Sequence, residues 1–121
     1  MRASADVTLS QSIVNARMAK THSVQRTIPA DHPSLAGHFP GHPVVPGVVL
    51  LDEVVSAYRG MRGPVSLTGA PVVKFIKPLL PEESFLIELR EPQPYRVKYE
   101  CRRDGELVAQ GSLNFAAADG V

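Results

Sequence analysis

The alternation of apolar and polar residues predicts several β-strands in the second half of the chain. Residues 84–90 and 95–103 alternate with the two-residue period of a strand that buries one face. Asp104-Gly105 follows, and this dipeptide is a strong signal for a two-residue hairpin turn. The alternation resumes over residues 107–115, so the last two segments are predicted to form a β-hairpin.

Further strands are predicted on both sides of a proline-rich stretch. Residues 22–29 and 65–76 contain the β-branched and aromatic residues that favour strands. Residues 6–20, whose periodicity is ambiguous, are interpreted as another strand. The four prolines between residues 30 and 46 exclude a regular element there. The prediction is therefore one or two strands before this loop and an antiparallel meander of four strands after residue 64.

A helix is predicted for residues 47–58, between the loop and the meander. Pro46 suits the start of a helix, and Gly60 suits the residue that ends one. Because a helix that is apolar all round must be covered, we predict an α+β fold. In it, a curved antiparallel sheet wraps one long buried central helix, and two copies associate. The apolar positions are Val48, Val49, Leu50, Leu51, Val54, Val55, Ala57 and Tyr58.

Composition excludes several classes of function. The 121 residues fit a single domain, 1–121, and a net charge of +1 without a dense basic run argues against nucleic-acid binding. Cys101 is the only cysteine, which excludes a disulfide framework and a cysteine-based metal site. No apolar run reaches the roughly 20 residues that span a bilayer, and the N-terminus lacks the apolar core of a secretion signal. These features predict a cytoplasmic protein.

Two residues near the start of the helix are candidates for acid–base chemistry. Asp52 has valines three and four positions away, and the expected desolvation favours its protonated form. His38 lies in a loop of glycine and proline, where a side chain that titrates near neutral pH can act as a general base. The alternatives are structural: a carboxylate that is capped or paired with arginine, and a histidine that only supports its loop. Glu53 points about 100° further round the helix and is predicted to be a pairing or surface group.

The first turn of the helix adds a third group to this pair. Its N–H groups without partners, and the positive end of the helix dipole, favour a developing negative charge. Gly47 has no side chain, so a substrate carbonyl can approach the backbone closely. Base, acid and oxyanion donor are therefore expected within one short stretch, residues 37–53.

A metal site and a basic binding surface are two other possibilities. His32, His38 and His42 have spacings of six and four, but nearby prolines prevent the helix that would align them, so we predict neither a metal nor a cofactor. The basic residues are expected to form a solvated surface. If several gather beside the active site, they would bind an acidic carrier protein or a phosphopantetheine phosphate. These residues are Arg59, Arg62, Lys74, Lys77, Arg96, Arg102 and Arg103.

The motif that contains the candidate residues resembles a known enzyme family. Residues 74–81, Lys-Phe-Ile-Lys-Pro-Leu-Leu-Pro, look like the strand and turn that follow the helix in that family. The resemblance spans about residues 22–116, with strong local identity over residues 37–52. The motif consists of Gly37-His38-Phe39-Pro40-Gly41, Pro43, Pro46-Gly47-Val48 and Asp52. It resembles the motif of the 3-hydroxyacyl-(acyl carrier protein) dehydratases, a family with the hot-dog fold.

The resemblance implies a mechanism and an assembly. The residue matching His38 removes the C2 proton of a 3-hydroxyacyl thioester, and the carboxylate matching Asp52 protonates the leaving 3-hydroxyl. The N–H matching Gly47 binds the thioester oxygen. In the family the substrate is bound to an acyl carrier protein, no cofactor is used, and each site lies in a homodimer interface with histidine and carboxylate from different chains. Three further motif residues are expected beside the substrate: Phe39, Pro46 and Val48.

Departures from the family pattern leave alternatives open. Position 52 is aspartate, as in the branch of the family that also isomerises the double bond, whereas the commoner branch has glutamate there. Pro81-Glu82-Glu83 replaces a common Pro-Gly-Asp turn. The short chain is similar to the compact dehydratases linked to aryl-polyene or similar polyketide-like lipid pathways. A hot-dog acyl thioesterase and a non-catalytic acyl-carrier binding subunit are the alternative functions.

Overall fold

The structure, a computed structural model, describes residues 20–35 and 44–118. The predicted strand at residues 6–20, apart from Lys20, lies outside the described residues, as do His38, Phe39 and His42. No helix in the described part of the chain is both long and apolar enough to cross a membrane. The elements are β1 (Lys20–Thr27), a short 3-10 helix (Pro33–Leu35), α1 (Gly47–Arg62), β2 (Val65–Phe75), β3 (Ser84–Gln93), β4 (Arg96–Arg103) and β5 (Glu106–Ala117).

The five strands form one antiparallel sheet in the order β1-β3-β4-β5-β2. The consecutive pairing of β3, β4 and β5 confirms most of the predicted meander. The prediction is wrong for β2, which pairs with β5 at the far edge, where Phe75 is opposite Ala109. The connection after β2, residues 76–83, contains two prolines and is too long for a tight hairpin turn, so the chain crosses to the other side of the meander.

Helix α1 begins where it was predicted and ends later. The N–H of Leu50 donates to the carbonyl of Pro46 at 3.2 Å, which forms the first helical turn. Gly60 was predicted to end the helix, but it lies inside α1. The helix instead ends at Gly63, whose φ of 97° suits glycine and whose N–H donates to the carbonyl of Arg59.

The sheet covers one side of α1 only. Val54 and Tyr58 are fully buried on that side. On the other side Val48, Asp52 and Ser56 recur every four residues and form a stripe, the exposed stripe, in which Val48 is 66% exposed. The prediction of a helix buried on all sides, with Asp52 inside, is therefore wrong for the single chain. Coverage of this stripe by a second copy stays a prediction.

The predicted alternation of β4 and the hairpin that follows it are confirmed. Val97, Tyr99 and Cys101 are buried in the core, while the residues between them face outward. Asp104 and Gly105 have φ values of 52° and 81°, and positive values at both positions are what a two-residue hairpin turn of this kind needs. The hairpin sets the register of the first pairs of β4 and β5, and a β-bulge then shifts it by one residue between Arg102 and Cys101.

Strand β3 is longer than predicted. It runs through Pro92 to Gln93, although Pro92 was expected to break it. The ladder with β4 shifts its register between Arg90 and Gln93, so the missing N–H of Pro92 is tolerated. Tyr95, expected to begin the next strand, lies in the turn with a φ of 66°. The extension is important because it carries Glu91, a carboxylate that is only 4% exposed.

Candidate active site

A mainly apolar cavity of about 350 Å³ lies against the first turn of α1. The N–H of Val45 donates to the carbonyl of Leu79 at 2.8 Å, which ties the segment before the helix to the connection after β2. These two segments and the helix form the walls. The lining residues are Val44, Val45, Gly47, Leu50, Phe75, Ile76, Lys77, Pro78 and Leu79.

The ring of Phe75 lies directly against Gly47. A Cβ at position 47 would come within 2.6 Å of this ring, so the close approach depends on glycine. Phe75 is 52% exposed, so its ring lies on the solvent side of the cavity and not in the protein core. Pro46 makes no side-chain hydrogen bond to the first turn. The N–H groups of Gly47 and Val48 precede the first intrahelical bond, so backbone donors are available at the cavity wall.

Asp52 faces away from the cavity of its own chain. Successive helical residues are about 100° apart, so Asp52 projects about 200° away from Leu50, which lines the cavity. Asp52 is exposed and makes no hydrogen bond or ion pair with another residue in the described ranges. Within the single chain the desolvation expected from neighbouring valines is absent, because Val48 is itself exposed beside Asp52. The position of His38 relative to either group stays a prediction.

Two further predictions concern Glu53 and the histidines. Glu53 is an ion-pairing residue, as predicted, and its Oε1 lies 3.2 Å from Nε of Arg26 on β1. Both side chains are about one-third exposed, so the pair contributes at most about 1 kcal/mol. Within residues 20–35 and 44–118, no group of three or more metal-binding side chains occurs, although His38 and His42 lie outside these ranges.

The remaining reactive and basic groups do not gather at the cavity. Burial raises the pKa of Cys101 to about 12, so its thiol stays protonated and is not a nucleophile. Lys77 is the one charged residue among the described residues that line the cavity. Several basic residues instead pair with carboxylates: Lys77 with Glu106, Arg62 with Glu91, Arg102 with Glu88 and Glu100, and Arg103 with Glu83.

Most of the chain matches one protein family. Residues 14–112 match the family model described as ApeI-like: ApeI dehydratase. The chain belongs to the ApeI-like dehydratase family. Two relatives are each named 3-hydroxyacyl-(acyl-carrier-protein) dehydratase FabZ. The one from Aromatoleum aromaticum is 28% identical over 106 residues, which cover 75% of this chain and 73% of the relative. The one from Syntrophobacter fumaroxidans is 27% identical over 103 residues, which cover 73% of this chain and 69% of the relative.

Solved structures share the fold of this chain. A chain of the dehydratase heterocomplex ApeI:P from Xenorhabdus doucetiae has a TM-score of 0.71 and 23% identity, covering 79% of this chain and 87% of that one. A 1,4-dihydroxy-2-naphthoyl-CoA thioesterase from Synechocystis has a TM-score of 0.60 and 16% identity, covering 80% of this chain and 81% of that one. The likeness confirms the predicted hot-dog fold, and at these identities it concerns the fold alone.

A buried polar cluster anchors the other end of α1. Oε2 of Glu91 accepts hydrogen bonds from the hydroxyl of Tyr58, from Nε of Arg62 at 3.0 Å and from the N–H of Tyr95 at 3.0 Å. The guanidinium of Arg62 also lies over the ring of Tyr95, 4.7 Å from its centroid. These four residues, the Glu91 cluster, tie the C-terminal half of the helix to the β3–β4 turn.

The electrostatics of the Glu91 cluster favour a charged carboxylate. Burial raises the pKa of Glu91, but the hydrogen bonds from Tyr58, Tyr95 and Arg62 outweigh it and hold that pKa below its ordinary value of 4.5. Burial, together with the bond to Glu91, raises the pKa of Tyr58 to about 12, so its neutral hydroxyl donates to the carboxylate. The groups satisfy one another, which indicates a structural role.

Sequence reasoning missed both Phe75 and the Glu91 cluster. The contact of Phe75 with Gly47 joins two segments that are distant along the chain, and no local pattern indicates it. For Glu91 a signal was present, because it continues the apolar face of β3 that contains Ile87 and Leu89. A carboxylate on a buried face needs partners there, so its position alone predicts a polar cluster.

Proposed function

We propose that this protein converts a 3-hydroxyacyl thioester, carried on an acyl carrier protein, into the trans-2-enoyl thioester in fatty acid or polyketide-like lipid biosynthesis. Membership of a dehydratase family supports the reaction class. The observation that carries the site is the first turn of α1, where an apolar cavity meets backbone donors. The reaction needs a base at C2, an acid at the C3 hydroxyl and a donor for the thioester oxygen.

In the proposed mechanism His38 removes the C2 proton. The thioester oxygen gains charge as the enolate forms and accepts a hydrogen bond from the N–H of Gly47. Asp52 gives its proton to the C3 hydroxyl, the C3–O bond breaks, water leaves, and the enolate electrons form the C2=C3 double bond. The cavity covered by Phe75 keeps bulk water away from the enolate. Three neighbours are proposed to contact the substrate: Phe39, Pro46 and Val48.

The proposed functional unit is a homodimer. Because Asp52 projects away from the cavity of its own chain, we propose that each cavity is completed by Asp52 of the partner subunit. The exposed stripe and β2, which pairs only with β5 among the described strands, supply surface for such an association. Val72 and Phe75 of β2 are 40% and 52% exposed. The cytoplasmic location stays a prediction.

Co-expression of His38→Ala with Asp52→Asn tests the shared site. If the two residues act from different chains, each mixed dimer has one wild-type site and one doubly altered site. Isolated mixed dimers should therefore have about half of wild-type activity, and the unseparated mixture, in which random pairing makes half of the dimers mixed, about a quarter. Each variant alone is expected to be nearly inactive. Activity is measured as enoyl-thioester absorbance with a 3-hydroxyacyl carrier substrate, on mixed dimers isolated through two different tags.

Each other outcome of that experiment contradicts part of the proposal. Mixed dimers without recovered activity would mean that base and acid act within one chain. Release of free thiol without an enoyl product would indicate an acyl thioesterase. Binding of the acyl carrier without turnover in the wild-type protein would indicate the non-catalytic subunit. A monomer that becomes active only with a different chain would exclude the homodimer.

Gly47→Ala tests the close approach of the substrate to the backbone at the first turn. Alanine keeps the N–H, but its methyl would keep the thioester oxygen at a distance from it, so we expect kcat to fall by about 10²-fold, close to the loss of an oxyanion contact. The added methyl would overlap the ring of Phe75, which is half exposed and can swing outward, so the fold is expected to survive. Gly60→Ala is the matched control on the same helix, since a Cβ there meets nothing within 4 Å. An unchanged kcat in Gly47→Ala would mean that the substrate does not approach the backbone closely at this position.

A further inference from the structure

A second cavity, of about 490 Å³, lies on the face of the sheet turned away from α1. The register arranges its side chains in two rows that cross the strands. One row places Glu88 directly opposite Glu100 and reaches Lys74 on β2. The neighbouring row places Arg90 directly opposite Lys98, with Thr21 and Ser112 at their outer sides. We call this depression the outer cavity.

Both rows of the outer cavity place like charges face to face, which destabilises an antiparallel strand pair. The two carboxylates share one cation, because Arg102 lies 3.2 Å from Oε1 of Glu88 and 2.8 Å from Oε1 of Glu100, so one of their two negative charges is balanced. The cations are not compensated: within the described ranges, neither Arg90 nor Lys98 forms an ion pair. Lys74 likewise forms no ion pair within those ranges. The outer cavity therefore holds unbalanced positive charge in a protein whose net charge is only +1.

We propose that the outer cavity binds a small phosphoryl anion, specifically a diphosphate group. The planar fork of Arg90 and the point charge of Lys98 both suit phosphate oxygens, and the hydroxyls of Thr21 and Ser112 in the same row add donors. Lys74 lies two strands beyond Lys98 and in the other row, which separates their backbones by about 12 Å at the usual strand spacing and rise. Two linked phosphates span more of this distance between the cations than a single phosphate does.

The size and place of the outer cavity fit this ligand. Its volume exceeds that of a diphosphate and leaves room for an organic group. Glu88 and Glu100 also line it, but both pair with Arg102, and the one negative charge left over is outnumbered by Arg90, Lys98 and Lys74. The sheet separates this cavity from the first turn of α1. The site is therefore independent of the proposed dehydratase chemistry.

Calorimetric titration of the full chain with inorganic diphosphate, at constant ionic strength, tests the site. Saturable binding of one diphosphate per chain is expected. Arg90→Gln and Lys98→Gln should each weaken it about tenfold or more, because each removes a charge-assisted contact. Arg96→Gln is the matched control, since Arg96 is an exposed cation on β4 outside the cavity. Absence of saturable binding, or equal weakening by all three variants, would overturn the proposal.

Thermal melting separates a binding role from a structural one. Without anion, Arg90→Gln and Lys98→Gln remove a like-charge repulsion, so their Tm should equal or exceed that of the wild type. With diphosphate, the Tm of the wild type should rise and that of the variants should not. A lower Tm in anion-free buffer would show a structural role and overturn the assignment. Binding of polyglutamate but not diphosphate would overturn it in favour of an acidic protein partner.

Discussion

Asp52→Asn is expected to lower kcat for dehydration by about 10²–10⁴-fold, the usual contribution of a general acid. Asparagine keeps the size of aspartate but has no proton to transfer at neutral pH. The fold should not change, because Asp52 is exposed and has no hydrogen-bond or ion-pair partner within the described ranges. Substitutions at such positions usually alter the free energy of unfolding by less than about 0.5 kcal/mol.

Three control variants make the Asp52→Asn result specific. Asp52→Glu keeps a transferable proton and should recover much of the activity. Ser56→Ala, one turn further along the exposed stripe, and Glu53→Gln, whose carboxylate pairs with Arg26, should stay within about threefold of the wild type. Steady-state kinetics and melting curves are measured on the same preparations. Near-normal turnover in Asp52→Asn, or an equal loss in Glu53→Gln, would contradict the assigned role.

Glu91→Leu is expected to lower the free energy of unfolding by about 3–5 kcal/mol, the cost of removing one partner of a buried pair. The substitution leaves the hydroxyl of Tyr58, which is fully buried, and the guanidinium of Arg62 without their common acceptor. The matched control is Glu88→Gln on the same strand, whose half-exposed pair with Arg102 should contribute less than about 1 kcal/mol. Urea unfolding measures both, and equal losses would contradict this account.

The stabilisation that Glu91→Leu removes depends on pH, and the direction of this dependence follows from the pKa of Glu91. The pKa of Glu91 is lower in the folded protein than its ordinary value of 4.5, so its stabilisation is fully present above that pH. The stabilisation is lost as the pH falls through the lower folded-state pKa. The difference in unfolding free energy between wild type and Glu91→Leu should therefore shrink below pH 4.5. A difference that stays constant there would mean that the charge of Glu91 is not involved.

Features that depend on neighbouring residues were predictable from the sequence. Pro46-Gly47 marks the start of α1 because a helix start needs no N–H from proline. Asp104-Gly105 marks the hairpin because both residues tolerate positive φ. The alternation of β4 follows directly from burial of one face. The dehydratase family was also recognisable, since residues 37–52 hold its motif in one continuous stretch.

Features that depend on distant contacts were not predictable in this way. The pairing of β2 with β5 joins strands separated by two others, and turn residues carry no information about it. The exposure of Asp52 was missed because an apolar circumference indicates burial without saying whether the cover comes from the same chain. The Glu91 cluster draws its members from α1, β3 and the turn after it. Each requires the assembled fold.

Helix α1 keeps its anchorage and its proposed chemistry at opposite ends. The Glu91 cluster holds the C-terminal half, while Asp52 and the first-turn donors lie in the N-terminal half. Selection can therefore exchange residues at the first turns without loosening the attachment of the helix. Such a division makes the fold permissive to new reactions. The helix-on-sheet scaffold itself is found both in a dehydratase complex and in a thioesterase.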